Sequence, residues 1–197
     1  MDKKEFFTSY LNDFSDLIKP ELNIVDELEK VANLLKAVHR DGKKALIFGN
    51  GGSAAIASHF SVDLTKNAGL RCVNYNEADL ITCFANDYGY AHWVEKVVDF
   101  YGDEGDLLIV ISSSGKSENM LNGIKAARIG NFKAVITLSG FKHDNPLRQL
   151  GDINLWVSSM AYNFVENIHQ VWLLAIVDYI IGKVDYSANP SRKINKK

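Results

Sequence analysis

Apolar residues between Lys3 and Arg40 recur at the spacing of amphipathic helices. They fall three and four residues apart, which places them on one face of a helix. Pro20 interrupts this pattern, and Asp41-Gly42 follows its end. The pattern therefore predicts two helices ahead of the first strand, available to cover a sheet or to pack against a partner subunit.

Five short apolar runs with the composition of buried strands follow these helices. The predicted strands are Ala45–Phe48, Cys72–Tyr75, Leu107–Ile111, Ala134–Leu138 and Ile153–Val157. Helical patterns separate most of them, at Ala54–Asn67, Glu118–Ile129 and Phe164–Ile181. Strands that alternate with helices predict an α/β fold of three layers, with a parallel five-stranded sheet between the helices. The flavodoxin-like strand order 2-1-3-4-5 suits this arrangement, although periodicity alone does not fix the order.

The length of the chain favours a single domain. Its 197 residues, 47% of them apolar, suffice for one sizeable core. We predict one domain over residues 1–184, in which the first 40 residues cover the core and promote oligomerisation, and a frayed basic tail over residues 185–197.

Charge and hydropathy indicate a cytoplasmic protein without a nucleic-acid or membrane partner. The net charge of −2 creates no field that attracts nucleic acid or a membrane surface. No apolar segment near the N-terminus resembles a signal peptide. The longest apolar stretch, from Ile168 to Ile181, is too short and too polar to span a bilayer. Cys72 and Cys83 are predicted to be free thiols in a reducing compartment.

A glycine-rich loop connects the first predicted strand to the next helix. It reads Gly49-Asn50-Gly51-Gly52-Ser53, with Ser53 placed as the helix N-cap. Glycines let a backbone approach a ligand closely, and a helix N-terminus favours an anion. The loop lacks the third glycine of a dinucleotide fingerprint and the lysine of a Walker loop. Taken alone, it fits a binding site or a plain strand-to-helix turn.

A serine-rich loop follows the third predicted strand. Ser112, Ser113, Ser114 and Ser117 flank Gly115 just before a helix, an arrangement suited to a phosphate monoester. With the order 2-1-3-4-5, the first and third strands are neighbours at the switch point of the sheet. Both loops are then expected to face one ligand.

These two loops resemble those of the sugar isomerase (SIS) domain family, whose phosphate loop reads Ser/Thr-x-Ser-Gly-x-Ser. Within that family, the Gly49–Ser53 loop and His59 resemble the bacterial phosphoheptose isomerases. The resemblance covers nearly the whole chain. It implies an enzyme that converts sedoheptulose 7-phosphate to D-glycero-D-manno-heptose 7-phosphate through an enediol, for heptose precursors of surface polysaccharide such as lipopolysaccharide. It also implies a homotetramer with active sites shared between subunits.

The resemblance assigns contacts with the sugar phosphate to both loops, to an Asn-Asp pair and to the last helix. These residues are Asn50, Gly51, Gly52, Ser53, Asn86, Asp87, Ser112, Ser113, Ser114, Ser117 and Glu166.

Proton transfer in such an isomerase requires a general base. His59 and Asp63 share one helix face, and Glu166 and His169 share another. We predict catalytic roles for Asp63, Glu166 and His169. The resemblance also implies a zinc ion near His59, with Asp63 and Glu166 as further ligands.

The chain departs from the family pattern at three positions. Asp63 stands where relatives carry glutamate, Glu166 where they carry glutamine, and Leu174 where they carry a second histidine. These departures leave two alternatives open: an isomerase for another ketose phosphate, or a non-catalytic SIS protein that binds a sugar phosphate or another protein.

Overall fold

The computed structural model describes residues 2–187, so the predicted tail from residue 188 onward lies outside the described residues. The helices are α1 (Lys3–Leu17), α2 (Leu22–Arg40), α3 (Gly52–Lys66), α4 (Ala78–Tyr88), α5 (Trp93–Tyr101), α6 (Glu118–Ile129) and α7 (Tyr162–Ile181). The strands are β1 (Ala45–Gly49), β2 (Cys72–Val73), β3 (Leu107–Ser112), β4 (Ala134–Ser139) and β5 (Ile153–Trp156).

The five strands form one parallel sheet in the order β2-β1-β3-β4-β5, which confirms the predicted topology. In this order β1 and β3 are neighbours, and the chain moves outward from them in opposite directions. The switch point of the sheet therefore lies between β1 and β3, with Gly49 opposite Ile111 at its carboxyl end.

Alternate residues of the buried strands divide the core into two clusters. Ala45 and Ile47 belong to the cluster beneath α2, α3 and α7. Leu46 and Phe48 belong to the cluster beneath α5 and α6. Because successive side chains of a strand point to opposite faces, this division gives the three layers that the sequence predicts.

The N-terminal edge of the sheet is held by a buried carboxylate. Asp106, which is fully buried, accepts hydrogen bonds from the Nζ of Lys44 at 2.6 Å and from the backbone N–H of Lys44 at 3.0 Å. The backbone N–H of Asp103 donates to the same carboxylate at 2.9 Å. These contacts tie the beginnings of β1 and β3 together, away from the edge where a ligand would bind.

The segment between β2 and β3 differs from the prediction. Strand β2 ends at Val73, before the predicted Tyr75, whose φ of 50° is incompatible with an extended strand. Two helices that were not predicted, α4 and α5, follow it. Their packing places Tyr90 and Trp93 next to the glycine-rich loop.

The prediction that the longest apolar stretch is too short and too polar to span a bilayer is wrong by length and composition alone, because α7 begins at Tyr162 and its 20 residues are long and apolar enough to cross a membrane. Its Val165, Ile168 and Leu173 are fully buried in the cluster beneath α2, α3 and α7. This is the packing of a core helix in a three-layer α/β domain.

Candidate active site

The glycine-rich and serine-rich loops lie side by side at the carboxyl ends of β1 and β3, and an amide pair joins them. Asn50 Nδ2 donates to Asn119 Oδ1 at 3.1 Å, and Asn119 Nδ2 donates to Asn50 Oδ1 at 2.9 Å. Tyr90 Oη donates to the same Asn50 oxygen at 2.9 Å. Asn50, a predicted substrate contact, therefore also holds the first loop against α6.

Gly51 shapes the start of α3. It is the N-cap residue, with φ of 55° and ψ of −121°, a conformation that suits glycine. The prediction of Ser53 as N-cap is wrong, because α3 begins at Gly52 and Ser53 is buried in its first turn. The backbone N–H groups of Ser53 and Ala54 donate to the carbonyl oxygens of Asn50 and Gly51, each at 3.0 Å, so these two groups are used within the loop.

The serine-rich loop has the features of a phosphate site. Ser112 Oγ and Ser117 Oγ lie 3.0 Å apart, and Ser117 is the N-cap residue of α6. Within the described residues, the buried Ser113 Oγ has no hydrogen-bond partner. Ser114 Oγ accepts from the backbone N–H of Lys116 at 3.3 Å. The loop thus offers hydroxyls beside a helix N-terminus, where a phosphate dianion is favoured.

Asn145 holds the serine-rich loop in place. Gly115 has φ of 66°, and a Cβ added there would lie 2.8 Å from the Asn145 Cβ and closer still to its amide. The buried Asn145 Nδ2 lies within hydrogen-bonding distance of Ser139 Oγ at 3.1 Å, Gly140 O at 3.1 Å and Lys142 O at 2.9 Å. The loop therefore rests on a polar anchor that continues into the segment after β4.

Glu166 of α7 reaches the first turn of α3. Its carboxylate packs against the α-carbon of Gly52, so that a Cβ added there would lie 2.7 Å from Glu166 Cδ. Burial raises the pKa of this carboxyl. The structure thus places a predicted base beside the glycine-rich loop with the pKa shift that favours accepting a proton near neutral pH.

His59 and Asp63 lie farther along α3. His59 Nε2 lies 3.3 Å from Asp63 Oδ2, and Gln170 Nε2 of α7 lies 3.0 Å from His59 Nδ1. Eleven residues, or about 16 Å of helix rise, separate Gly52 from Asp63. The two predicted carboxylates, Glu166 and Asp63, therefore do not converge on one point within the chain.

The predicted catalytic role of His169 requires a correction. This side chain is fully buried, and its Nε2 lies 3.1 Å from the carbonyl oxygen of Ser139. Burial lowers its pKa to about 4. A neutral imidazole enclosed between α7 and β4 does not contact a substrate, so we interpret His169 as a structural residue.

Asn86 and Asp87 lie on the exposed last turn of α4. Asn86 Nδ2 donates to Asp87 Oδ1 at 2.8 Å, and Cys83 Sγ lies 3.7 Å from Asp87 Oδ2. No contact described for these two side chains joins them to either loop, and their role in substrate binding stays a prediction.

A crevice of about 240 Å³ opens beside the glycine-rich loop. Gly49, Asn50 and Gly51 line one side of it, with Tyr90 and Trp93 among the other lining residues. Within the described residues, the buried Trp93 Nε1 has no hydrogen-bond partner. A larger cavity of about 720 Å³, between the α1–α2 turn and β5, contains none of the predicted site residues. The crevice is the better candidate site, because two of the predicted substrate contacts, Asn50 and Gly51, line it.

Sequence reasoning did not identify four residues that shape this site: Tyr90, Asn119, Asn145 and Gln170. Only Asn145 had a local signal, since it precedes Pro146 in a turn-forming pair. The other three make contacts between elements far apart in the sequence, which spacing along the chain does not reveal.

Comparison with known proteins gives consistent results. Residues 9–140 match the SIS domain family model. The chain is 34% identical over 157 residues to a phosphoheptose isomerase of Fusobacterium nucleatum, covering 77% of this chain and 80% of that protein. It is also 34% identical over 175 residues to a phosphoheptose isomerase of Yersinia pestis, covering 84% and 89%.

Solved structures of similar proteins have the same fold. A phosphoheptose isomerase from Neisseria gonorrhoeae superposes with a TM-score of 0.83 at 29% identity, covering 91% of this chain and 98% of that chain. One from Francisella tularensis gives 0.82 at 26% identity, with the same coverage.

Proposed function

The chain belongs to the SIS domain family and, within it, to the phosphoheptose isomerases, and on this basis we propose that it isomerises sedoheptulose 7-phosphate to D-glycero-D-manno-heptose 7-phosphate. The observation that carries the proposal is the position of Glu166 at Gly52, on a loop joined by Asn50 and Asn119 to the serine-rich loop. A candidate base thereby contacts the loop that is joined to a candidate phosphate site.

The serine-rich loop binds the phosphate in this proposal. Ser112, Ser113 and Ser117 supply hydroxyl donors, and the N-terminus of α6 supplies free N–H groups and a favourable dipole. The hydroxyls of Ser112 and Ser117 contact each other in this structure. At least one of them therefore has to rotate before it can donate to a bound phosphate. The phosphate end of the sugar is held while the reacting carbons reach toward the glycine-rich loop.

Glu166 transfers the proton between C1 and C2. Its raised pKa makes the ionised carboxylate a stronger base than an exposed glutamate, because burial disfavours its charge. As the proton leaves, negative charge develops on the sugar oxygen to give an enediol. The positive end of the α3 dipole, at the N-terminus of that helix, is expected to stabilise that charge. Asp63 stays a predicted second base, tested separately by Asp63→Asn.

We also propose a homotetramer in the cytoplasm that supplies heptose precursors for surface polysaccharide. Helix α1 has no buried residue, and Phe7 and Leu11 are 63% and 65% exposed. Apolar side chains in this number on one helix favour contact with another subunit. The resemblance to phosphoheptose isomerases supports both the assembly and its role in heptose synthesis.

An isomerase for another ketose phosphate is the second candidate, and the observation that favours it is the altered set of residues at Asp63, Glu166 and Leu174. Different residues at these three positions of α3 and α7 are expected to alter how the sugar chain is held. This candidate keeps the phosphate loop and the enediol chemistry. A non-catalytic binding role is the third candidate, and Leu174, which can transfer no proton, is the feature that favours it.

The test is turnover by the purified protein with a panel of ketose phosphates of five, six and seven carbons, followed by NMR in D2O. We expect turnover with the seven-carbon ketose and deuterium at the reacting carbon, because an enediol exchanges its proton with solvent. Asn167→Ala, an exposed neighbour on α7, is the matched control for Glu166→Gln. Turnover restricted to a shorter ketose phosphate would support the second candidate, an isomerase for another ketose phosphate. Binding of sugar phosphates without turnover of any of them would contradict an enzymatic function.

A further inference from the structure

The imidazole of His59 bridges two helices through both of its ring nitrogens. On one side Gln170 Nε2 of α7 lies 3.0 Å from Nδ1, and on the other side Asp63 Oδ2 lies 3.3 Å from Nε2. A side-chain amide nitrogen only donates, so Nδ1 accepts and carries no proton in this arrangement. The neutral ring then holds its proton on Nε2, facing the Asp63 carboxylate.

This geometry does not fit the zinc site that the resemblance implies. The two ring nitrogens point in opposite directions, so one ion cannot be bound by His59 together with both Asp63 and Gln170. Asp63 is further engaged, because Asn67 Nδ2 donates to its Oδ1 at 3.1 Å. Among residues 2–187, no three His, Cys, Asp or Glu side chains lie close enough together to hold a metal ion.

The remaining donors of the implied zinc site are also out of place. Glu166 packs against Gly52, seven residues and about 10 Å of helix rise before His59. Leu174, at the position of the second histidine, has no ligand atom. A tetrahedral zinc site requires at least three protein ligands with nitrogen, oxygen or sulfur donors. In the part of the chain that the structure describes, Asp63 faces Nε2 of His59 and Gln170 faces Nδ1, so the contacts described give neither ring nitrogen two further ligands.

We propose that a metal-free chain of contacts, Gln170–His59–Asp63, replaces the zinc site of the family in this protein. Gln170 acts as a positioning residue, because it fixes the tautomer of His59 and joins α7 to α3. The inference concerns the site of the proposed isomerase, but its evidence is independent of the substrate. In this arrangement the fixed contacts between α3 and α7 hold Glu166 at the glycine-rich loop.

Metal content tests the proposal without reference to activity. The full-length protein, in its assembled state, is incubated with excess zinc chloride and desalted, and zinc per chain is measured by inductively coupled plasma mass spectrometry. We expect less than about one zinc per ten chains, with the same value for His59→Ala. Circular dichroism confirms that the variant is folded.

Retention of about one zinc per chain by the wild type, lost in His59→Ala, would overturn the proposal. Because this measurement needs no substrate, such a result would leave the isomerase assignment untouched. Conversely, absence of turnover with every sugar phosphate would contradict the proposed function and leave the metal result standing.

The tautomer of His59 tests the role of Gln170. Nitrogen-15 NMR of histidine-labelled protein should show His59 protonated on Nε2 in the wild type and in Asn167→Ala. Gln170→Glu replaces the donor by an acceptor while Asp63 still faces Nε2, so Nδ1 is expected to gain a proton in that variant. An unchanged spectrum in Gln170→Glu would contradict the positioning role, whatever the effect of the variant on stability.

Discussion

The carboxylate of Glu166 packs directly against the α-carbon of Gly52, across the interface between α7 and α3. This contact brings a carboxylate whose pKa is raised by burial to the N-terminal turn of a helix. The position of the carboxylate depends on the absence of a side chain at residue 52. Gly52 is therefore required because it leaves space for the Glu166 carboxylate, and not because of its backbone conformation.

Gly52→Ala is expected to displace Glu166. The added methyl group would lie 2.7 Å from Glu166 Cδ, closer than real Cβ contacts. We expect a loss of turnover of about 100-fold with little decrease in stability, because the displaced atoms are the end of a flexible side chain. Steady-state kinetics and urea denaturation measure the two effects. Gly69→Ala is no suitable control, because Gly69 has a φ of 76°.

Ala55→Gly, in the next turn of α3, is the better comparison for Gly52→Ala. It removes a methyl group at a helical position beside the same crevice and leaves the Glu166 contact intact. We expect it to lower stability by about 1 kcal/mol with a smaller loss of turnover. Equal turnover in wild type and Gly52→Ala would show that the position of Glu166 is unimportant.

Glu166→Gln tests the base. The substitution keeps the shape of the side chain and removes its ability to accept a proton, so kcat should fall by about 100-fold to 10,000-fold while sugar-phosphate binding persists. In the wild type, activity should fall on the acid side at a pH above the ordinary glutamate value of 4.5, because burial raises the pKa of Glu166. A pH–rate profile locates this decrease in activity. Full turnover in Glu166→Gln would exclude this carboxylate as the base, and Asp63→Asn would then become the decisive variant.

The serine-rich loop should control phosphate affinity. Ser112→Ala combined with Ser117→Ala removes two hydroxyls, each of which gives roughly 10-fold in affinity when bonded to a charged group. We therefore expect sugar-phosphate affinity, measured by calorimetry, to weaken by about 100-fold. Ser158→Ala, at an exposed serine outside both loops, serves as the control. Unchanged affinity in the double variant would show that this loop does not bind the phosphate.

Asn119 should be required for both stability and binding. Asn119→Leu leaves Asn50 without its reciprocal partner in a largely buried site, which costs about 1 to 3 kcal/mol. Since this pair joins the two loops, weaker sugar-phosphate binding should accompany the decrease in stability. Asn167→Leu is the matched change at an exposed asparagine of α7. If Asn119→Leu changed neither property more than this control, the amide pair would have no role in joining the loops.

The sheet and the two loops followed from local sequence, whereas the contacts across the site did not. Buried strands such as Leu107–Ser112 are marked by continuous apolar runs, and Gly51 and Gly115 mark turns that require positive φ. The roles of Asn119 and Gln170 depend on partners 69 and 111 residues away. Helical spacing placed Glu166 and His169 on one face of α7, but only packing shows that Glu166 reaches Gly52 and His169 is enclosed.

The enclosed His169 should make the stability of the protein depend on pH. Burial lowers its pKa from 6.5 to about 4, so between these values the unfolded chain binds a proton that the folded chain does not. The free energy of unfolding is therefore expected to fall as the pH decreases from 6.5 toward 4, by roughly 3 kcal/mol from this group. His169→Gln keeps a donor for the Ser139 carbonyl and removes the titration, and His39→Gln, on α2, controls for the loss of a histidine. Urea denaturation at several pH values measures the difference between each variant and the wild type. If the stability of His169→Gln decreased as steeply over this range as that of the wild type, an ionisation other than that of His169 would be responsible.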